Sequence, residues 1–232
     1  MTSRLHLRLL AGFWAASAAI TLLGSWAIQN FRLVRPLYSG PFHPIPLFRM
    51  WTRWDCGWYQ QIVTNGYSYD PKRQSTIVFW PTYPLTLRPL FHLGMNPYVA
   101  GSLVTVVATS VAIVFFMAWQ RAYRYPTGIE APSTRAVVLA TVAWLVYPYA
   151  YYLYGSNYSD ALFVAVCLIA FWLVEKDKPL LAGIVGIAAA AGRPFGWALT
   201  LALAVRILER RWAERHDGET LSLRTLVRTP LT

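Results

Sequence analysis

Apolar positions along the chain gather into five runs, and the polar connections between them differ greatly in length. Residues 9–28, 98–119, 136–154, 160–174 and 180–205 are strongly apolar and nearly free of charge. About 20 consecutive apolar residues suffice for a helix to cross a bilayer core, so the pattern predicts an all-α, polytopic transmembrane bundle. The fourth run is the weakest. Its fourteen apolar residues, 161–174, give about 21 Å at about 1.5 Å per residue, so this helix must borrow its flanks or be shielded by protein. The fifth is interrupted by Gly192, Arg193 and Pro194. An arginine at mid-depth costs about 2.5–3.5 kcal/mol on insertion scales, and proline removes a backbone hydrogen bond. Two arrangements remain: one kinked span with Arg193 facing a polar cavity, or a broken hairpin that turns at Arg193. Arg206, Arg210, Arg211 and Arg215 follow directly, and the positive-inside rule favours the hairpin.

The same rule orients the chain. Arg4, His6 and Arg8 precede the first span and hold the N-terminus in the cytoplasm, while Arg121, Arg124 and Arg135 flank the second and third spans on that side. Residues 9–28 are too long for the core of a cleaved secretory leader, so a retained span is expected. Residues 29–97 then form a large extracytoplasmic loop rich in proline and arginine. Within it, Leu47, Met50, Trp51, Trp54, Trp58 and Ile62 recur at helical spacing, which predicts one interfacial amphipathic helix over 47–63, ended by Asn65 and Gly66. Pro81 and Pro84 predict an extended, turn-like segment over 79–84. Gly101, Thr105 and Thr109 recur every four residues in the second span and permit close contact with a neighbour. Tyrosines crowd the outer end of the third span, where Pro148 predicts a kink. Residues 1–208 thus form the membrane domain and 209–232 a polar tail.

Composition fits this picture. The chain is 56% hydrophobic and only 13% charged, which excludes an ordinary soluble domain. A net charge of +11 could suggest nucleic acid, but no basic run is long enough, and the cations lie at span edges or in the outer loop. Anionic lipid and membrane orientation account for them better. The expected location is a bacterial plasma membrane. Cys56 and Cys167 lie at different depths and are expected as free thiols.

Candidate chemistry centres on residues 51–59, W-T-R-W-D-C-G-W-Y. A lone carboxylate among interfacial aromatics is costly unless it has a task. The four histidines make no metal-ligand spacing, no D-x-D pair flanks Asp55, and phosphate loops, H-E-x-x-H and G-x-S-x-G are absent. No tightly bound metal and no organic cofactor is expected, with dependence on a divalent ion left to a chelator assay. The remaining inventory suits transfer of a sugar from a lipid phosphate: aromatic faces hold the sugar, cations hold the phosphate, and a carboxylate takes the acceptor proton. Desolvation by Trp54 and Trp58 would raise the Asp55 pKa, whereas Arg53 would lower it. Plainer roles exist. Asp55 could pair with Arg53 or Arg49, Ser159 or Asp160 could cap a helix, Arg193 could snorkel, and Asn157-Tyr158-Ser159 matches an N-glycosylation acceptor.

Three segments together resemble the PIG-V family of membrane mannosyltransferases, part of the GT-C superfamily. They are W-D-C-G-W-Y at 54–59 with Gly66-Tyr67, F-W-P-T-Y-P at 79–84, and Y-S-D-A-L-F at 158–163 leading to G-R-P-F-G at 192–196. Their order and spacing match that family's W-D-x-x-W-Y, F-F-P-x-Y-P, Y-S-[ED]-S-L-F and T-R-P-x-G, with Trp80, Ala161 and Gly192 as departures. The resemblance implies a GT-C bundle whose first outer loop carries the catalytic residue, and it puts Asp55 there. It implies an inverting mannosyl transfer from a polyprenyl-phosphate-linked donor to a lipid or glycan acceptor. Arg53, Trp54, Trp58, Tyr59, Trp80, Tyr83, Asp160 and Arg193 are then expected to bind substrate. Family members are usually longer, so the resemblance also implies a truncated chain or a compact relative with a partner subunit. The rival expectation is a non-catalytic membrane subunit or lipid-binding scaffold.

Overall fold

The computed structural model of the protein describes residues 3–31, 42–124 and 129–215, and every regular element among them is helical. Eight α-helices follow in order: α1 (Ser3–Phe31), α2 (Cys56–Asn65), α3 (Thr82–His92), α4 (Pro97–Ala122), α5 (Thr134–Val146), α6 (Asp160–Glu175), α7 (Pro179–Ala190) and α8 (Gly196–Arg215). Short 3-10 turns at Pro46–Trp51, Thr76–Val78 and Pro148–Tyr154 complete the set. Helices α1 and α4 are long and apolar enough to cross a membrane. Helix α5 and the turn after it count as a third span only if taken together across an 86° bend. Pro148 therefore does more than kink this segment: it ends α5, and the tyrosine-rich turn runs off across the bundle.

The helices run between two ends. His6 in α1 lies within electrostatic reach of Arg121 at the end of α4, so these helices are antiparallel. Helices α4 and α6 are parallel: Thr105 bonds the Ser156 carbonyl at 2.6 Å near their starts, and Phe115 meets Trp172 with ring centroids 5.2 Å apart near their ends. Helix α7 returns along α6, the chain turns at 191–195, and α8 comes back beside α7. Ala182, Ala189, Leu199 and Leu203 share one core with Ala170 and Val174 of α6. A Cβ on Gly196 would stand 2.3 Å from the Ala189 carbonyl oxygen, so the two arms of this hairpin meet at backbone contact.

At the end away from the turn, ion pairs lock α8 to its neighbours. The Glu175 carboxylate is wholly buried, and Arg206 grips it with bonds of 2.7 and 3.1 Å while its guanidinium lies 3.8 Å from the centre of the Tyr123 ring. Arg210 bonds the Val174 carbonyl and the Asp177 carboxylate. A buried carboxylate left without a partner would cost several kcal/mol, so these arginines are structural. Residues 209–215, expected to open a polar tail, instead continue α8; residues 216–232 lie outside the described residues.

The outer loop departs from expectation twice. The single helix expected over 47–63 is two pieces, a 3-10 turn and α2, separated at residues 52–55, where Trp54 takes φ +42°. Helical spacing survives across the break, which is why periodicity alone joins them. The segment expected to be extended over 79–84 is extended at Phe79, but Pro81 already takes helical backbone angles. Helix α3 starts at Thr82, with Pro84 in its first turn, where a missing N–H costs nothing.

Candidate functional site

The site is built on the turn that joins the bent third segment to α6, residues 155–159. Gly155 takes φ +150°, and a Cβ there would come within 2.8 Å of the Trp51 indole, so only glycine fits. Next to it, Asn157 is fully buried and held from three sides. Its Oδ1 accepts from Gln60 at 3.1 Å, its Nδ2 donates to Ser102 at 2.9 Å, and its backbone N–H donates to the Trp51 carbonyl. Gly101 and Thr105 of α4, spaced for close contact, receive this turn: Thr105 bonds the Ser156 carbonyl, and Gly101 lies against Asn157. Burial rules out Asn157 as a glycan acceptor in the folded protein.

Tyr158, so anchored, reaches the break before α2. Its hydroxyl donates to the Arg53 carbonyl at 2.9 Å and accepts the Asp55 backbone N–H at 2.9 Å. The two bonds straddle Trp54 and close off its left-handed kink. Burial pushes the Tyr158 hydroxyl well above its ordinary pKa, against the help of the Asp55 amide, so it remains a donor at neutral pH. Trp54, largely exposed, packs its ring against Tyr152 and Tyr158. Asp55 sits at the start of α2 but makes no capping bond, and its side chain is exposed. Among the described residues neither Arg49 nor Arg53 pairs with it; the ion pairs of this region join Arg73 to Asp70 and Arg193 to Asp160.

The second carboxylate has a different environment. Asp160 begins α6, Ser159 makes no capping bond, and the Asp160 carboxylate bonds Arg193 from the α7–α8 turn. The Arg193 guanidinium also lies 5.9 Å from the centre of the Phe163 ring. Thus Arg193 neither snorkels nor stands free: it ties the hairpin tip to the start of α6. The other tie is Thr82, whose N–H bonds the Ala191 carbonyl and whose hydroxyl bonds that of Ala188.

Tyr59 joins these parts. Its hydroxyl shares a 3.3 Å hydrogen bond with Ser159, and the charges of Arg193, Asp55 and Asp160 all act on it. Burial raises its pKa, the Ser159 bond opposing, so it too stays protonated. The structure therefore gathers Arg53, Trp54, Asp55, Tyr59, Asp160 and Arg193 at one end of the bundle. Trp58 stacks on Phe79 with centroids 6.0 Å apart, and Trp80 is partly exposed beside the Thr82 tie. Tyr83 is different. It is wholly buried, edge-on beneath Tyr59, with its hydroxyl toward Thr105, so it supports the site from below and offers no surface to a substrate. Cys56, next to Asp55, is also buried, which raises its thiol pKa and leaves it inert. Among the described residues no three His, Cys, Asp or Glu side chains converge to hold a metal.

Sequence reasoning missed Tyr158 and Asn157 as organising residues. Tyr158 lay in view inside the Y-S-D segment, but nothing in a linear pattern shows that a hydroxyl reaches back across more than a hundred residues. No family model, curated protein or solved structure matches the chain.

Proposed function

We propose that this protein is a GT-C type membrane mannosyltransferase, with Asp55 as the general base. The observation that carries the reading is the state of Asp55: an exposed carboxylate with no ion-pair partner among the described residues, its backbone fixed by Tyr158, flanked by exposed Trp54 and by Arg53. The ordered motifs that resemble PIG-V enzymes support the same assignment.

The reaction is a single displacement. The acceptor hydroxyl oxygen attacks the anomeric carbon of the polyprenyl-phosphate-linked mannose as the bond from that carbon to the phosphate oxygen breaks. Asp55 takes the hydroxyl proton, and the departing electron pair stays on the phosphate, where a guanidinium can stabilise it. A phosphate leaves without a general acid, so one carboxylate suffices. Configuration at the anomeric carbon inverts. Asp160, paired with Arg193, is a positioning group, and Trp54 and Trp58 offer faces to the sugar. With the N-terminus in the cytoplasm, passage of α1 through the membrane would carry this end to the extracytoplasmic side, where a lipid or glycan acceptor is met.

The test is an assay of purified protein with polyprenyl phosphate mannose and candidate acceptors, with and without chelator. Asp55→Asn abolishes transfer while expression and insertion persist. Undiminished transfer in that variant overturns the assignment of the base. If the wild-type protein transfers nothing but still binds lipid, the alternative of a non-catalytic lipid-binding subunit replaces this reading.

A further inference from the structure

On the α1 side of Asp55 lies an open groove of about 450 Å³, within the ~300–1,000 Å³ range of ligand sites. One wall is Gly24, Ala27 and Ile28 of α1, and the facing wall includes Met50 and Tyr151. Arg53 and Trp54, the two residues before Asp55, complete the lining. Except for Arg53 the surface is apolar or aromatic. Helix α1 belongs to the membrane: Leu22, Leu23 and Trp26, beside the groove in sequence, are all exposed. The groove therefore opens where lipid chains lie. Met50 packs directly onto Gly24, where a Cβ would fall 2.3 Å from its Sδ, so the two walls meet at that point and form the floor of the groove.

Arg53 supplies the polarity. It is half-buried, and among the described residues no carboxylate pairs with it. A half-buried, unpaired guanidinium calls for an anion, and phosphate matches its fork of donors. An apolar trough with one cation at the edge next to Asp55 has the form of a molecule with a long apolar chain ending in phosphate. Resting on the proposed transfer from a lipid carrier, we infer that this groove seats the isoprenoid chain of the donor, with its phosphate on Arg53 and its sugar directed toward Asp55.

The experiment uses the full chain in phosphatidylcholine vesicles with a photoreactive isoprenoid phosphate, and maps the adduct by mass spectrometry. The expected result is labelling of α1 near Gly24, Ala27 and Ile28, suppressed by excess polyprenyl phosphate and not by phosphatidylglycerol. Ala27→Trp and Ile28→Trp, which fill the trough, each lower the adduct at least tenfold; Arg53→Glu does the same. In the transfer assay, Ala27→Trp raises the donor KM about tenfold with little change in kcat. Labelling elsewhere in a protein that transfers mannose overturns the groove and leaves the enzyme reading intact. Labelling in the groove of a protein that transfers nothing supports the groove and removes the enzyme reading. Equal competition by phosphatidylglycerol overturns the inference, because the groove would then be a general seat for anionic lipid.

Discussion

A Cβ added to Gly101 would stand 2.0 Å from Asn157 Oδ1, so the second helix crossing and the turn that carries Tyr158 touch without room for a methyl group. Asn157 cannot withdraw, because Gln60, Ser102 and the Trp51 carbonyl hold it on three sides. Gly101→Ala should destabilise the protein by about 1–3 kcal/mol, as overpacking does. Thermal unfolding in detergent checks this. A Tm equal to that of the wild type would mean the turn is looser than its contacts indicate.

Tyr158→Phe removes both hydrogen bonds that straddle Trp54 and leaves the Asp55 N–H without its partner. The expected cost is about 1–3 kcal/mol, concentrated at the break before α2. Hydrogen exchange reads it directly: the peptide containing residues 52–56 should exchange faster, while peptides from α4 and α6 stay protected. In the transfer assay kcat should fall with donor KM nearly unchanged, as befits a residue that positions the base and does not touch the donor.

Asp160 and Arg193 can be tested as a pair. Each is about one-third exposed in its side chain, so breaking the bond should cost no more than about 1 kcal/mol. Asp160→Asn and Arg193→Gln are both expected to fold and to lose most transfer. The exchange of the two charges, Asp160→Arg with Arg193→Asp, should regain thermal stability without regaining activity. Recovery of both would reduce the pair to a structural tie.

A pH effect is expected at the opposite end. Desolvation pushes the Asp177 carboxyl up, but bonds and charges from Arg210 and Arg124 prevail and hold it below the ordinary value of 3.8. A lowered carboxyl pKa adds stability above the unfolded value and loses it as pH falls through the folded one. Asp177→Asn should therefore lower Tm near neutral pH, by no more than about 2–4 °C because the side chain is largely exposed. The difference should shrink as pH falls through 3.8 and vanish only below the lower folded value.

The periodic and compositional signals carried the helical architecture well, and the reasons for the misses are physical. Gly192, Arg193 and Pro194 marked the place where the last apolar run folds back, because charge and a missing N–H both forbid a straight lipid-facing helix there. Asp55 stood out as the one carboxylate among interfacial aromatics. The break at Trp54 was invisible, since the 3-10 turn and α2 keep their apolar residues in step across it. Tyr83 was expected to bind substrate through its place in the F-W-P-T-Y-P segment, and only packing beneath Tyr59 shows that it is buried. The buried Glu175 could not be found from a polar flank, because its compensation comes from Arg206 and Arg210, one helix away.

The 86° bend after α5 has a mechanical consequence for the membrane itself. At about 1.5 Å per residue, α4 extends about 39 Å, whereas α5 and α7 reach only about 20 and 18 Å. Against a hydrocarbon layer about 30 Å thick, α1 and α4 are long enough to span it, whereas α5, packed on α4, and α7, packed on α6 and α8, are not. Lipid beside α5 or α7 must thin to meet them, at a cost of fractions of a kcal/mol per Å. Headgroups and water would then descend wherever these two short helices face lipid.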